Sequence, residues 1–385
     1  MRTAAVLIFS IVLLTLAGCA RQFKLSKADT GRPSAWPGYR HDPSAAGAIG
    51  TTGFTGKLDT IWCKRTGEKP TGPLTLLSTY VAVPSAKKRI RFFDAATGSS
   101  RGRIKFLAPP QTQLQVLDSI GFLAIGPPRN TLYGIHLGRL KTIWKGMVKD
   151  APPGSILVSN RLIIGSTDGT VSAFAPMSGH REWIFQADDR FVAPISYQNG
   201  KLYQPSDKGV IHVLSEVNGL ELYQVKLKGP VVSAAAVSDG LFVGDVLGNI
   251  YCIASSDSTI LWQALLSGPI WTSPAVAGEL VIVGHSRGDV VALDRRSGRQ
   301  VWKYALNEVI KASPIVVGDV VVIASMKGTV LTLDLHSGEP IARTHLNGAV
   351  AISPISDGSY LYLMTQNGRL LCLGERNEQS QQNHH

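Results

Sequence analysis

Cysteine is scarce in this chain, with four among 385 residues, at positions 19, 63, 252 and 372. None falls in a Cys-x-x-Cys-His arrangement, which excludes covalent haem attachment. The nine histidines are scattered with no pair at metal-ligand spacing, so no histidine-based metal centre is expected. Neither a Gly-x-Ser-x-Gly elbow nor a phosphate-cradling glycine loop occurs, which removes the common hydrolase and nucleotide-binding readings. Long amphipathic helical periodicity is missing too. Helices are therefore not the building material.

What is present is a repeat. Ser273-Pro274 recurs as Ser313-Pro314 and Ser353-Pro354, a period of 40 residues without slippage. Backward steps of the same length land on Ser233-Ala234, Ala193-Pro194, Pro153-Gly154, Gln113 and Pro73. A turn glycine keeps the beat at Gly169, Gly209, Gly248, Gly288, Gly328 and Gly368. An anchor keeps it as Trp62, Ile104, Trp144, Trp183, Tyr223, Trp262, Trp302 and Ala342. In Val290–Trp302 two alternating apolar runs flank a Ser297-Gly298 turn, which reads as a β-hairpin. Several short strands in a unit of about 40 residues are the mark of a β-propeller blade.

Eight openings, from Pro73 to Ser353, give eight blades. The last has three strands and no anchor strand; Lys57–Cys63 at the other end supplies one. The expected fold is all-β: an eight-bladed propeller over 54–373, closed by its N-terminal strand so that no sheet edge stays open. The tryptophans Trp62, Trp144, Trp183, Trp262 and Trp302 are expected to dock one blade on the next. Trp271, outside the repeat, is placed at the mouth of the central channel. His212 reads as a packed, satisfied histidine, and Asp294 and Asp334 as turn caps rather than catalytic acids.

The N-terminus reads as targeting sequence. Arg2, an apolar run from Ala4 to Leu14 and Leu16-Ala17-Gly18-Cys19 make a signal peptide over 1–18. The tetrapeptide resembles a bacterial lipobox. The resemblance implies cleavage before Cys19 and acylation of that residue, each buried CH₂ contributing about 0.8 kcal/mol of membrane affinity. Ala20 rather than Asp follows, which favours the outer membrane. Residues 19–53 read as a tether whose Trp36-Pro37-Gly38-Tyr39 segment packs on the ring, and 374–385 as a disordered polar tail.

Net charge is +12, and Lys57–Lys105 alone holds eleven Lys/Arg against three acids. Lys87, Lys88, Arg89, Arg91, Arg101, Arg103 and Lys105 are the candidates for binding an anionic partner such as lipid, polysaccharide or an acidic protein face. No aromatic interleaving suggests nucleic acid. Once Cys19 is acylated three cysteines remain, an odd number that argues against a disulfide framework. Cys63 and Cys372 share the closing blade. They are either small packed residues or a latch disulfide across the seam.

Ala292-x-Asp294-x-x-x-Gly298-Arg299-x-x-Trp302 resembles the tryptophan-docking motif of the quinoprotein-like (PQQ-like repeat) propellers, with weaker copies at Asp94–Gly98 and Asp334–Gly338. The likeness covers the whole ring. That family includes dehydrogenases that hold PQQ and Ca²⁺ in the channel, with inserted loops and often adjacent cysteines that this chain lacks. It also includes BamB-type lipoproteins, to which the lipobox, short tether and eight regular blades are similar. The resemblance implies no cofactor and no enzymatic activity. It implies instead a lipid-anchored, periplasm-facing scaffold at the outer membrane, whose loops support β-barrel assembly by docking on an assembly protein. The alternatives are a binding module for an anionic ligand or polysaccharide through the basic region, or a PQQ-dependent dehydrogenase.

Overall fold

The computed structural model describes residues 40, 42, 44–139, 141–150 and 154–375. Cys19, the Trp36–Tyr39 segment and the tail from 376 lie outside them. The described residues contain no helix. They form eight antiparallel sheets whose innermost strands begin at 75, 115, 154, 196, 236, 275, 315 and 355. We number these blades one to eight.

Blade six shows how the local sequence makes each sheet. Ala275–Ala277, Leu280–Gly284, Asp289–Asp294 and Gln300–Ala305 run from channel to rim. Leu280–Gly284 is buried throughout, because neighbouring blades cover both faces of a middle strand. Its apolar run therefore lacks the two-residue alternation of a half-solvated strand. The rim strand does alternate. Core clusters accordingly lie between blades. One joins Ile282 and Trp302 of blade six to Val321 and Leu331 of blade seven.

The ring is sealed as the repeat arithmetic predicts. Asp59–Arg65 is the fourth strand of blade eight, pairing antiparallel with Arg369–Gly374. The largest core cluster spans this seam, uniting Val322 of blade seven, Leu361 and Leu363 of blade eight, and Val81 and Val83 of blade one.

The tether expected through residue 53 is shorter than that, because its end is built into the ring. Ala48–Ile49 is a fifth strand on the channel side of blade seven, parallel to Ile315–Val317. The carbonyls of Ser44, Ala46, Gly47 and Ile49 accept from Val237, Val276, Val316 and Gly318, so the segment caps the channel edges of blades five, six and seven. Arg40 anchors its start, donating to Ser273 O at 2.7 Å and Pro314 O at 2.8 Å. Because the added strand is parallel to Ile315–Val317, the chain passes along the channel from one mouth toward the other. It then crosses blade seven, where Gly56 O accepts from Thr332 Oγ1 at 2.8 Å, and reaches the rim. Composition hid this: small residues that read as linker are those that fit a crowded channel.

Candidate functional site

Each docking tryptophan makes the same contact. Trp62, Trp144, Trp183, Trp262 and Trp302 donate Nε1–H to the carbonyls of Ala95, Pro176, Glu216, Arg295 and Leu335, each in the next blade. Their rings lie on the turn glycines Gly98, Gly179, Gly219, Gly298 and Gly338. A Cβ on Gly298 would stand 2.5 Å from Trp262, so the pair requires glycine. Asp94, Asp294 and Asp334 cap those turns through Thr97, Ser297 and Ser337. These bonds hold the carboxyls of Asp294 and Asp334 below the usual carboxylate range, while burial raises that of Asp94 and the hydrogen bond from Arg101, followed by those from Thr97, outweighs it and holds it low. Ala342 breaks the tryptophan series for a physical reason. The turn it would dock on does not exist, since blade eight's outer pair is joined by the two ends of the ring.

Every rim strand carries a β-bulge, one residue before the anchor in seven blades; in blade one it precedes Gly102, so Gly102 and not Ile104 holds the anchor position there. The extra residues are Ile61, Arg101, Ile143, Glu182, Leu222, Leu261, Val301 and Ile341. A bulge re-aims a side chain and blunts an exposed edge. Here it turns apolar groups outward: Ile61, Ile143, Leu222, Leu261 and Val301 are between 40% and 58% exposed. Ile341 is half-buried because the incoming chain at Gly56 packs on it. Leu220 and Val217 beside Leu222, and Leu265 beyond Leu261, extend the apolar rim on blades four and five. Motif reading missed this row. Its signal was an apolar residue directly before the anchor, where strand alternation calls for a polar one.

The basic region is gathered on blade one and only partly free. Glu68, buried, is paired with Arg89 and Arg91 and accepts from Ser85 Oγ. Burial raises its pKa, but hydrogen bonds from Arg89 and Ser85 and the charges of both arginines outweigh this and hold the carboxyl low. Arg101, a bulge residue, is paired with Asp94 at 2.7 Å. Lys87, Lys88, Arg103 and Lys105 are exposed and have no ion pair among the described residues. Lys88 takes the place of the turn glycine of other blades, at φ 55°.

The latch disulfide between Cys63 and Cys372 is not formed; both are free thiols. The bulge sets Trp62 opposite Cys372 and Cys63 opposite Leu371, which puts the two sulfurs on opposite faces of the sheet. Cys63 is exposed, whereas burial pushes the Cys372 thiol up to about 12. His212 is satisfied, with Nδ1 2.6 Å from Glu221 and Nε2 3.0 Å from Asp189.

At the channel mouth where the N-terminal segment enters lies a cavity of about 270 Å³. Trp271 lines it with Lys311, Gln113, Ser313 and Arg40. No carboxylate is among its lining residues. A hard cation such as Ca²⁺ takes oxygen ligands that include carboxylates, so this donor set does not fit one. No group of three His, Cys, Asp or Glu side chains among the described residues could hold a metal either.

A family model described as outer membrane protein assembly factor BamB matches residues 167–384. The chain belongs to this family. Among solved structures, BamB from Moraxella catarrhalis superposes with a TM-score of 0.73 at 15% identity, covering 83% of this chain and all of that one. A europium-containing methanol dehydrogenase reaches 0.75 at 10% identity, over 90% of this chain and 99% of its own. The computationally designed Ika8 protein gives 0.70 at 15% identity, with 82% and 98% covered. No curated protein matches the chain by sequence. At such identities the superpositions establish the fold, which an enzyme and a designed ring share as readily as a BamB.

Proposed function

We propose that this protein is a non-catalytic scaffold, anchored in the outer membrane through acylated Cys19 and facing the periplasm. It supports assembly of β-barrel proteins by docking an assembly protein on its rim. The observation that carries the reading is the row of outward apolar bulge residues. On blade four Val217, Leu220 and Leu222 are all exposed, and a local concentration of large apolar side chains on a polar rim is a candidate surface for a protein contact. The rim of blade seven already shows the mode, since Ile341 there is covered by an extended segment of this chain. The lipid confines encounters to the membrane surface and raises effective concentration.

The test is recovery of the native protein from membranes in mild detergent. An outer-membrane barrel-assembly protein should come with it in stoichiometric amount. Leu222→Asp combined with Leu261→Asp should abolish that recovery without lowering the melting temperature, and Cys19→Ser should release the protein from the membrane. Recovery unaffected by the double variant would refute rim docking.

A second reading, binding of an anionic polymer or lipid, rests on the unpaired Lys87, Lys88, Arg103 and Lys105. It predicts binding that falls steeply with salt, which apolar docking does not.

A further inference from the structure

We propose that the cavity at the channel mouth is a carboxylate-binding site, taking an aspartate or glutamate side chain of a partner loop or a small free acid. The site stands whether or not the rim docks an assembly protein, because it lies on the channel and uses none of the bulge residues.

Four observations point to this chemistry. Lys311 is exposed, and its Nζ sits 5.1 Å from the centroid of the Trp271 ring, which holds the ammonium at the cavity. Gln113, 3% exposed, lines the same cavity with an Nε2 that has no hydrogen-bond partner. A buried amide donor without an acceptor is unfavourable, and a ligand oxygen would relieve it. The Ser313 hydroxyl accepts from Ser273 N–H at 2.9 Å, which leaves its own proton to donate. No acidic side chain lines the space, so the local potential is positive.

Donors without acceptors call for an anion. One exposed ammonium matches a single negative charge, whereas a phosphate is better served by an arginine fork or a nest of backbone N–H groups. Arg40's guanidinium is directed at the carbonyls of Ser273 and Pro314 and contributes field rather than a fork. At about 270 Å³ the cavity falls below the roughly 300–1,000 Å³ typical of drug-sized ligands. It suits a side chain or a small acid. Trp271, 39% exposed, offers its ring to the methylenes behind the carboxylate.

The experiment is calorimetric titration of the full-length protein in detergent with three probes. These are a capped Gly-Glu-Gly peptide, its Gly-Gln-Gly counterpart and free glutarate. Binding of the acidic probes but not the glutamine peptide is expected, and it should weaken as salt is added. Lys311→Gln and Gln113→Leu should each lower the affinity about tenfold, the loss of one charge-assisted or buried hydrogen bond. A peptide that binds more tightly than glutarate identifies a protein loop as the source; equal affinities identify a small acid. Silence of both acidic probes, or equal binding of the glutamine peptide, would overturn the proposal. So would unchanged affinity in the Lys311→Gln variant, whose exposed position leaves folding intact even if Gln113→Leu does not fold.

Discussion

The indole N–H of Trp62 donates to the carbonyl of Ala95 at 2.9 Å, and that bond ties the last blade of the ring to the first. Four other tryptophans make the same contact, and in all five cases the strand that carries the tryptophan runs on through the chain into the blade it docks on. What sets Trp62 apart is its strand, since Asp59–Arg65 joins the rest of blade eight by pairing with Arg369–Gly374 and not through a turn, at the point where the chain enters and leaves the ring. Non-covalent contacts there carry the closure alone.

Trp62→Ala should therefore do more than Trp302→Ala. Each removes a buried aromatic, at about 3–5 kcal/mol. The first should in addition expose the strand 59–65 to limited proteolysis under native conditions. Equal protease resistance in the two variants would contradict a special role for the seam.

Lys88 holds φ 55° where blades three to eight place a glycine. A left-handed backbone costs a non-glycine residue roughly 1–2 kcal/mol, part of which glycine returns through its greater freedom when unfolded. Lys88→Gly should stabilise the protein by about 0.5–1 kcal/mol, read as a higher denaturant midpoint with unchanged slope. A lower midpoint would show that the Lys88 side chain makes a contact of greater worth.

Glu68 carries a pH dependence. Its folded pKa lies below the ordinary 4.5, so its ionised form stabilises the fold above that value. Stability should decline as pH falls from about 4.5 through the lower folded pKa. Glu68→Gln should flatten that limb and leave Arg89 and Arg91 without their carboxylate. If wild type and variant lose stability in parallel below pH 4.5, another acid governs the limb.

The thiols should differ in reactivity. Cys63 is exposed and should alkylate in the native protein, while Cys372 and Cys252, buried and each pushed up to about 12, should react only after denaturation. Mobility on gels should be the same with and without reductant. A native-state disulfide would require a different register between Asp59–Arg65 and Arg369–Gly374.

Much of the architecture was legible because a repeat encodes it many times. Spacing alone predicted eight blades, the borrowed closing strand and the tryptophan anchors, since each rests on local alternation and on turns that need glycine. Of the two readings offered for Cys63 and Cys372, the latch fails on a single residue. A bulge at Ile61 shifts the register by one, and a shift of one sends a side chain to the other face.

The amino-acid order by itself determined the blade count, the turns and which strand closes the ring, because these follow from periodicity and from backbone conformations that few residues adopt. Only the tertiary structure decided what meets across the ring. It brought Glu68 to Arg89 and Arg91, set residues 44–49 along the channel, and gathered Trp271, Lys311 and Gln113 around one cavity. Glu68 and its arginines meet within blade one, but Trp271, Lys311 and Gln113 come from the openings of different blades. Their meeting depends on closure of the whole ring, which no local pattern records.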